Sequence, residues 1–113
     1  MQAKDITPAY AVAPQIVAAD IAAIAAAGYR SIMCNRPDGE QPGQPRFEEI
    51  AVAARQHGMA VRHVPVISGM ITPQNLADFD RAIAELPAPV LAYCRSGARC
   101  TQLWSMCAAG LPG

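Results

Sequence analysis

The sequence predicts an α/β domain with a mostly parallel sheet of four to five strands flanked by helices. Three observations predict it. Short apolar runs alternate with helix-forming stretches along the whole chain, in the order β-α-β-α-β-α-β-loop-α. One run, Val90 to Tyr93, is apolar throughout, as expected of a central parallel strand covered on both faces. The length of 113 residues suits one domain, over residues 1–113, with one core burying about two-thirds of the extended surface.

Thr7 to Ala13 reads as the first strand. Gln15 to Gly28 is built of good helix formers, apolar all round, with Gly28 where a C′ glycine belongs; a largely buried helix is expected. Tyr29 to Cys34 is the second strand, followed by an Asn35 to Pro45 loop that holds three prolines and two glycines. Phe47 to His57 is helical: Glu48 and Glu49 in its first turn suit the helix dipole, and Gly58 stops it. Ala60 to Val66 is a third strand, interrupted near its end by Pro65. Thr72-Pro73 marks a helix start, a hydroxyl N-cap followed by proline at the first helical position. That helix runs to about Leu86 and presents Leu76, Phe79, Ile83 and Leu86 as one stripe before Pro87 and Pro89 end it. After the Val90 to Tyr93 strand comes a last helix, Cys100 to Ala109, closed by Gly110.

Composition removes several function classes. With 52% hydrophobic and 16% charged residues the chain is not disordered. Nine basic and nine acidic side chains cancel, leaving no electrostatic case for nucleic acid or an anionic membrane as main partner. Alanine supplies 23 residues against six aromatics, so a thin core with closely approaching helices is expected. No run reaches the roughly 18 uninterrupted apolar residues of a membrane span; the best stretch, Ile16 to Ala27, is broken by Asp20. The mixed charge of Met1 to Asp5, with Pro8 and Pro14 behind it, argues against a signal peptide. Cys34, Cys94, Cys100 and Cys107 read as reduced thiols of a cytoplasmic protein rather than a disulfide scaffold.

The segment Val90 to Leu103, VLAYCRSGARCTQL, carries the chemistry. Cys94 leaves the C-terminal end of a buried strand, and a glycine-containing loop leads straight into a helix, the place where open α/β sheets collect ligands. Loop amides and a helix N-terminus make a concavity suited to an anion, and Arg99 and Arg95 add positive charge. An ordinary cysteine, with pKa about 8.5, is only about 3% thiolate at pH 7; lowering the pKa to about 5.5 makes it nearly all thiolate. That lowering corresponds to roughly 4 kcal/mol, within reach of several N–H donors plus an arginine. Cys94 is the expected nucleophile. The other reading of the same residues is a structural cysteine beside a surface arginine.

The CRSGAR loop, Cys94 to Arg99, resembles the active-site loop of rhodanese-type sulfurtransferases and also a shortened cysteine-phosphatase loop. A wider pattern adds PQI at Pro14 to Ile16, AAGYRSIMCNRPDGE at Ala26 to Glu40, HVPV at His63 to Val66 and LAYCRSGARC at Leu91 to Cys100. Over nearly the whole chain it resembles the bacterial beta-lactamase hydrolase-like protein, phosphatase-like domain family. The resemblance implies a protein-tyrosine/dual-specificity-phosphatase-like fold, with Cys94 as nucleophile, Arg99 as its partner and Arg95, Ser96, Gly97 and Ala98 completing the anion loop. It also implies a persulfide-oxidising metallo-hydrolase-like partner, because members occur fused to such domains.

Cysteine phosphatases of this fold carry Cys-x5-Arg, whereas Cys94 and Arg99 enclose four residues, the rhodanese spacing. Those phosphatases also place an aspartate after the strand matching Ala60 to Val66, where this chain has Ile67-Ser68-Gly69-Met70-Ile71. A missing general acid costs a factor of about 10²–10⁴ with a poor leaving group. The expectation is therefore a rhodanese-type sulfurtransferase that forms a persulfide on Cys94. It draws on a small sulfur anion such as thiosulfate, or a persulfide, and passes sulfur to an acceptor thiol, sulfite or cyanide, with Ser96 as a further donor. A cysteine phosphatase is the alternative, and a non-catalytic anion-binding domain the third.

Arg36 and Asp38, in the Asn35 to Glu40 loop, are expected either to orient the Cys94 loop and touch substrate or to form an internal ion pair. Asp38 is also the nearest substitute acid for a phosphatase. By the family's sheet order, Cys34 ends a strand beside Cys94, as a small filler or as a redox partner for the nucleophile. Cys100 and Cys107 are expected to pack. His57 and His63 lack partners at metal-ligand spacing, so no metal and no cofactor is expected.

Overall fold

A computed structural model describes residues 2–110, with backbone only over 108–110. The strands are β1 (Lys4–Thr7), β2 (Tyr10–Ala13), β3 (Ser31–Cys34), β4 (Ala60–His63) and β5 (Val90–Tyr93). The helices are α1 (Ile21–Ala26), α2 (Phe47–Gln56), α3 (Pro73–Glu85) and α4 (Ala98–Gly110). The sheet order is β1-β2-β5-β3-β4. All pairings are parallel except β1 with β2. The α/β class and the mostly parallel sheet are as the sequence predicts.

Its registers position the site. Tyr10 to Ala13 and Ser31 to Cys34 both lie level with Val90 to Tyr93, so β2, β3 and β5 end together with β5 in the middle. The apolar residues divide by strand alternation into two layers. Val12, Met33, Ala92 and Cys94 face Phe79 and Leu103 of α3 and α4. Ala11, Ile32, Cys34 and Tyr93 face Ile21, Ile24 and Ile50 of α1 and α2. The single core expected from length is thus split by the sheet.

Several boundaries differ from the sequence expectation. Thr7 to Ala13 is a hairpin, because Pro8 has no N–H to offer and the Thr7 hydroxyl accepts from the Ala9 amide at 3.0 Å, turning the chain. The first helix starts later: Gln15 to Val17 are not helical, residues Ala18–Asp20 form a 3₁₀ turn, and the Asp20 carboxylate accepts from the Val17 amide at 3.0 Å. It also buries one stripe, Ile21 and Ile24, and leaves Ala22, Ala23 and Ala26 exposed. Regular β4 stops at His63 because Pro65 cannot donate, although the Val64 and Val66 amides still reach the Cys34 and Asn35 carbonyls. The last helix begins at Ala98 rather than Cys100. Its expected stop at Gly110 meets the end of the described residues. Among these residues no helix is long and apolar enough to cross a membrane.

The start of α3 matches its sequence signal. The Thr72 hydroxyl accepts from the Asn75 amide at 3.1 Å, the Asn75 side chain accepts from the Thr72 amide at 3.0 Å, and Pro73 opens the helix. Phe79 and Leu86 are buried, with Leu76 and Ile83 packed at the margin. Thr72→Ala is expected to lower stability by about 1 kcal/mol. Urea unfolding should show a lower midpoint at unchanged slope; an unchanged midpoint would mean the cap contributes nothing.

Candidate active site

The Cys94 amide donates to the Ala13 carbonyl at 3.3 Å, carrying the β5–β2 ladder one residue further before the chain leaves the sheet. The loop then turns at Gly97, whose φ of +93° belongs to the left-handed region. This turn points the Gly97 amide back at the Cys94 sulfur, 3.0 Å away. A Cβ at residue 97 would stand 3.6 Å from the Ala13 carbonyl, an ordinary contact. Backbone conformation, not lack of room, is what calls for glycine.

Cys94 is 1% exposed, at the floor of the loop. Its thiolate is favoured by a hydrogen bond from the Cys100 thiol and by the amides of Cys100, Ser96 and Arg99, while burial opposes; together they lower the pKa to about 5. The first turn of α4 is held in place, because the Tyr10 hydroxyl donates to the Cys100 carbonyl at 2.9 Å. Tyr10 is itself fixed by stacking on Trp104 at 4.5 Å and by an edge contact with Phe79.

Arg99 is 7% exposed and fully engaged at one end. It grips Glu40 with two bonds, of 2.7 and 2.9 Å, and donates to the Val66 carbonyl at 2.9 Å. Glu40 also accepts from Arg36 at 2.8 Å. Arg36, 3% exposed, also donates to Gln15 and Gln41, each at 3.0 Å. Hydrogen bonds from Arg99 and then Arg36 overcome burial and hold the Glu40 pKa down at about 2. Arg99 Nε and one Nη2 hydrogen have no partner among the described residues. A cleft of about 650 Å³ opens over this assembly, lined by Arg36, Glu40, Gln41, Ser68, Arg95 and Ser96 among others.

Most residues singled out in the sequence meet here. Arg95, Ser96, Ala98 and Arg99 line the cleft, and Gly97 turns its amide to the Cys94 sulfur. Arg36 lines the cleft too and forms the ion pair expected within its loop, with Glu40, the carboxylate that also holds Arg99. Three expectations change. Asp38 does not enter the cleft: its carboxylate accepts from the Phe47 amide at 2.8 Å and caps α2. The Ser96 hydroxyl accepts from the Ala98 amide at 3.3 Å instead of aiming at the sulfur; its own amide faces Cys94. Cys34 lies in the opposite layer from Cys94, because it is level with Tyr93 and alternation turns the next residue to the other side. Its thiol donates to the Arg36 carbonyl at 3.3 Å, and burial pushes its pKa up to about 11.

Glu40, Gln15, Gln41 and Tyr10 are site-building residues that sequence reasoning did not pick out. Only Glu40 left a signal, standing four residues after an arginine in a loop already marked. His63 Nε2 donates to the Arg36 carbonyl at 2.9 Å and the ring stacks on Phe47, so it supports the loop that carries Arg36. Among the described residues no three His, Cys, Asp or Glu side chains gather as a metal site.

The model of the "Beta-lactamase hydrolase-like protein, phosphatase-like domain" family matches residues 2–111. Beta-lactamase hydrolase-like proteins of Xylella fastidiosa and Agrobacterium fabrum are 40% and 36% identical over 106 and 104 residues. These matches cover 94% and 92% of this chain but only 25% and 24% of those proteins. A crystal structure of a putative phosphatase from Neisseria meningitidis superposes with a TM-score of 0.84 at 37% identity, covering 96% of this chain and 78% of that one. A putative phosphatase of Shewanella putrefaciens shares the fold at 15% identity and a TM-score of 0.80, covering 98% of this chain and 74% of that one. These descriptions speak for a phosphatase-type domain; of the two chemistries expected from the sequence, they favour the cysteine phosphatase.

Iodoacetamide labelling of Cys94 should be half-maximal near pH 5 and level above it, because the thiolate is lost as pH falls through that value. A midpoint near the ordinary value of about 8.5 would contradict the arrangement. Glu40→Gln should leave that midpoint in place while lowering Cys94-dependent turnover about 10- to 100-fold, by releasing Arg99 from its position. Full turnover in that variant would show that the carboxylate does not position Arg99 for the reaction.

Proposed function

Because this chain belongs to the phosphatase-like domain family of beta-lactamase hydrolase-like proteins, we propose that it is a cysteine-nucleophile group-transfer domain, and that the group Cys94 carries is a single sulfur. The observation that supports sulfur over phosphoryl transfer is the four-residue loop closed on one sulfur atom, with no acid beside it. Asp38 caps a helix, Glu40 is ionised between two arginines, and residues 67–71 offer no carboxylate. A proton donor for a departing alkoxide is therefore missing from the described site, whereas sulfite leaves as an anion and needs none.

In the first step Cys94 thiolate attacks the outer sulfur of thiosulfate; the new S–S bond forms as the S–S bond to sulfite breaks. The product, a Cys94 persulfide anion, lies against the loop amides that held the thiolate, with Arg95 and the free edge of Arg99 for the departing oxyanion. In the second step an acceptor thiolate, sulfite or cyanide attacks that outer sulfur and returns Cys94 to its thiolate. A persulfide can replace thiosulfate as donor by the same exchange. The chain spans about a quarter of its curated relatives, so a persulfide-oxidising partner belongs to the proposal rather than to the domain.

The second reading, cysteine phosphatase, is favoured by the descriptions of the relatives and by one feature of the site. Arg99 keeps Nε and one Nη2 hydrogen unpaired among the described residues, a fork that fits two oxygens of a phosphoryl group. Without an acid such an enzyme would hydrolyse aryl phosphates, whose phenolate leaves unaided, far better than alkyl ones. A third outcome, binding without turnover, would make the loop an anion sensor.

Incubation with thiosulfate should add about 32 Da to the intact protein, located on Cys94, and Cys94→Ser should show no gain. No mass gain together with rapid, Cys94-dependent hydrolysis of an aryl phosphate would replace sulfur transfer with the phosphatase reading.

A further inference from the structure

The arginine-lined cleft takes up only one side of the Cys94 loop. On the other side, between the loop, β2 and α4, lies a second groove of about 620 Å³. Ser96 and Ala98 line both cavities. Val12 and Ala13 give the groove an apolar part, and α4 adds the exposed side chains of Gln102 and Ser105. Its one charged lining residue is Lys4. The β1–β2 register accounts for that placement: Lys4 is paired with Val12, so both side chains stand on the α3/α4 face of the sheet. Asp5, the next residue, turns to the opposite face, where the Tyr29 hydroxyl donates to it at 3.3 Å. Among the described residues Lys4 has no ion-pair partner, and no carboxylate lines the groove.

The groove begins beside the reactive atom. Gly97 lines it, and the Gly97 amide is 3.0 Å from the Cys94 sulfur. A Cβ at residue 97 would stand 3.8 Å from Val12 Cγ2, and from Val12 to Lys4 is one strand spacing, about 4.8 Å. A flexible tail of about seven carbons, roughly 8 Å long when extended, reaches from the sulfur to the lysine. We infer that this groove holds the body of the second reactant, a thiol bearing a carboxylate, with its sulfur at Cys94 and its carboxylate on Lys4. The inference rests on the double displacement proposed above, in which two different reactants meet one sulfur. The cleft serves the departing sulfite, and the groove serves the thiol that takes the sulfur away. In that step the acceptor thiolate attacks the outer sulfur of the Cys94 persulfide. A new S–S bond forms as the old one breaks, and Cys94 keeps the electron pair as its thiolate. The ammonium at the far end favours an anionic tail over a neutral one of equal length.

Alkyl methanethiosulfonates test the groove whichever group Cys94 carries in its own reaction. The thiolate attacks the sulfenyl sulfur, methanesulfinate leaves, and the tail remains on Cys94 as a mixed disulfide. Rates at Cys94, followed by intact mass and located by tryptic mapping, are compared for carboxyheptyl, hydroxyheptyl and carboxyethyl reagents. The carboxyheptyl reagent should react about three- to five-fold faster than the hydroxyheptyl one at low salt, and about 1 M NaCl should remove the difference. Lys4→Gln should abolish the advantage and leave the hydroxyheptyl rate unchanged; Lys4 is exposed on an edge strand, so the substitution spares the fold. The carboxyethyl reagent, too short to reach, should react alike in both proteins. Equal rates for the two heptyl reagents, or a carboxylate advantage that survives Lys4→Gln because Arg95 and Arg99 bind it, would overturn the inference. The gain of about 32 Da from thiosulfate reads sulfur transfer separately, so the failure of one is told from the failure of the other.

Discussion

A negative charge on a sulfur at the end of the central strand is the constraint around which this molecule is arranged. Burial alone would push the Cys94 thiol upward, and only hydrogen-bond donors aimed at the sulfur reverse that. Apart from the Cys100 thiol those donors are backbone amides, so their direction depends on the path of the chain. The left-handed turn at Gly97 and the immediate start of α4 at Ala98 set that path. Parallel registers of β2 and β3 against β5 place it at the level where neighbouring loops can close over it. The sheet's most protected strand thus carries the reactive atom, which keeps the amide cluster from opening.

The arginines are held by a different balance. Removing a guanidinium from water costs several kcal/mol unless its donors are met, and Arg36 and Arg99 are both nearly buried. One carboxylate serves them both: Glu40 takes two bonds from Arg99 and one from Arg36. Gln15 and Gln41 each take one further bond from Arg36. The site is consequently built from three separate chain segments, near residues 15, 40 and 99, joined through the Arg36 and Glu40 side chains. Using the end of the Arg99 guanidinium for structure leaves its side edge for an anion, which separates the holding role from the binding role within one side chain.

Much of this was legible in the sequence because it is local. Glycine and arginine placed after an apolar strand identify the loop, Thr72-Pro73 identifies a helix start, and the β-α alternation identifies the sheet. Contacts across the fold were not legible. Nothing near Asp38 shows that its carboxylate caps α2, since the Phe47 amide lies nine residues away. Cys34 looks adjacent to Cys94 from strand order alone, and only the register and pleat put them on opposite faces. The polar edge strand Lys4–Thr7 has too few apolar residues to announce itself. Alanine-rich residues 22–27 look buried by composition, yet a helix lying on a sheet covers one stripe, and Ile21 and Ile24 fill it.

What the loop can transfer follows from which leaving groups it can release. A phosphoester carrying an alkoxide needs a proton delivered as the bond breaks, and its absence costs about 10²–10⁴ in rate. Glu40 cannot supply that proton, because the same two arginines that make the site rigid keep it ionised. Protonating it would weaken its bonds to both guanidiniums. The arrangement that positions Arg99 therefore excludes its own carboxylate partner from acid catalysis. Substrates that depart as stable anions suffer no such loss, and sulfite and thiolates are among them. On this ground the fold of a phosphatase and the chemistry of sulfur exchange are compatible in one site: the amide cluster and the arginine are shared requirements, while the acid is needed only for one of the two.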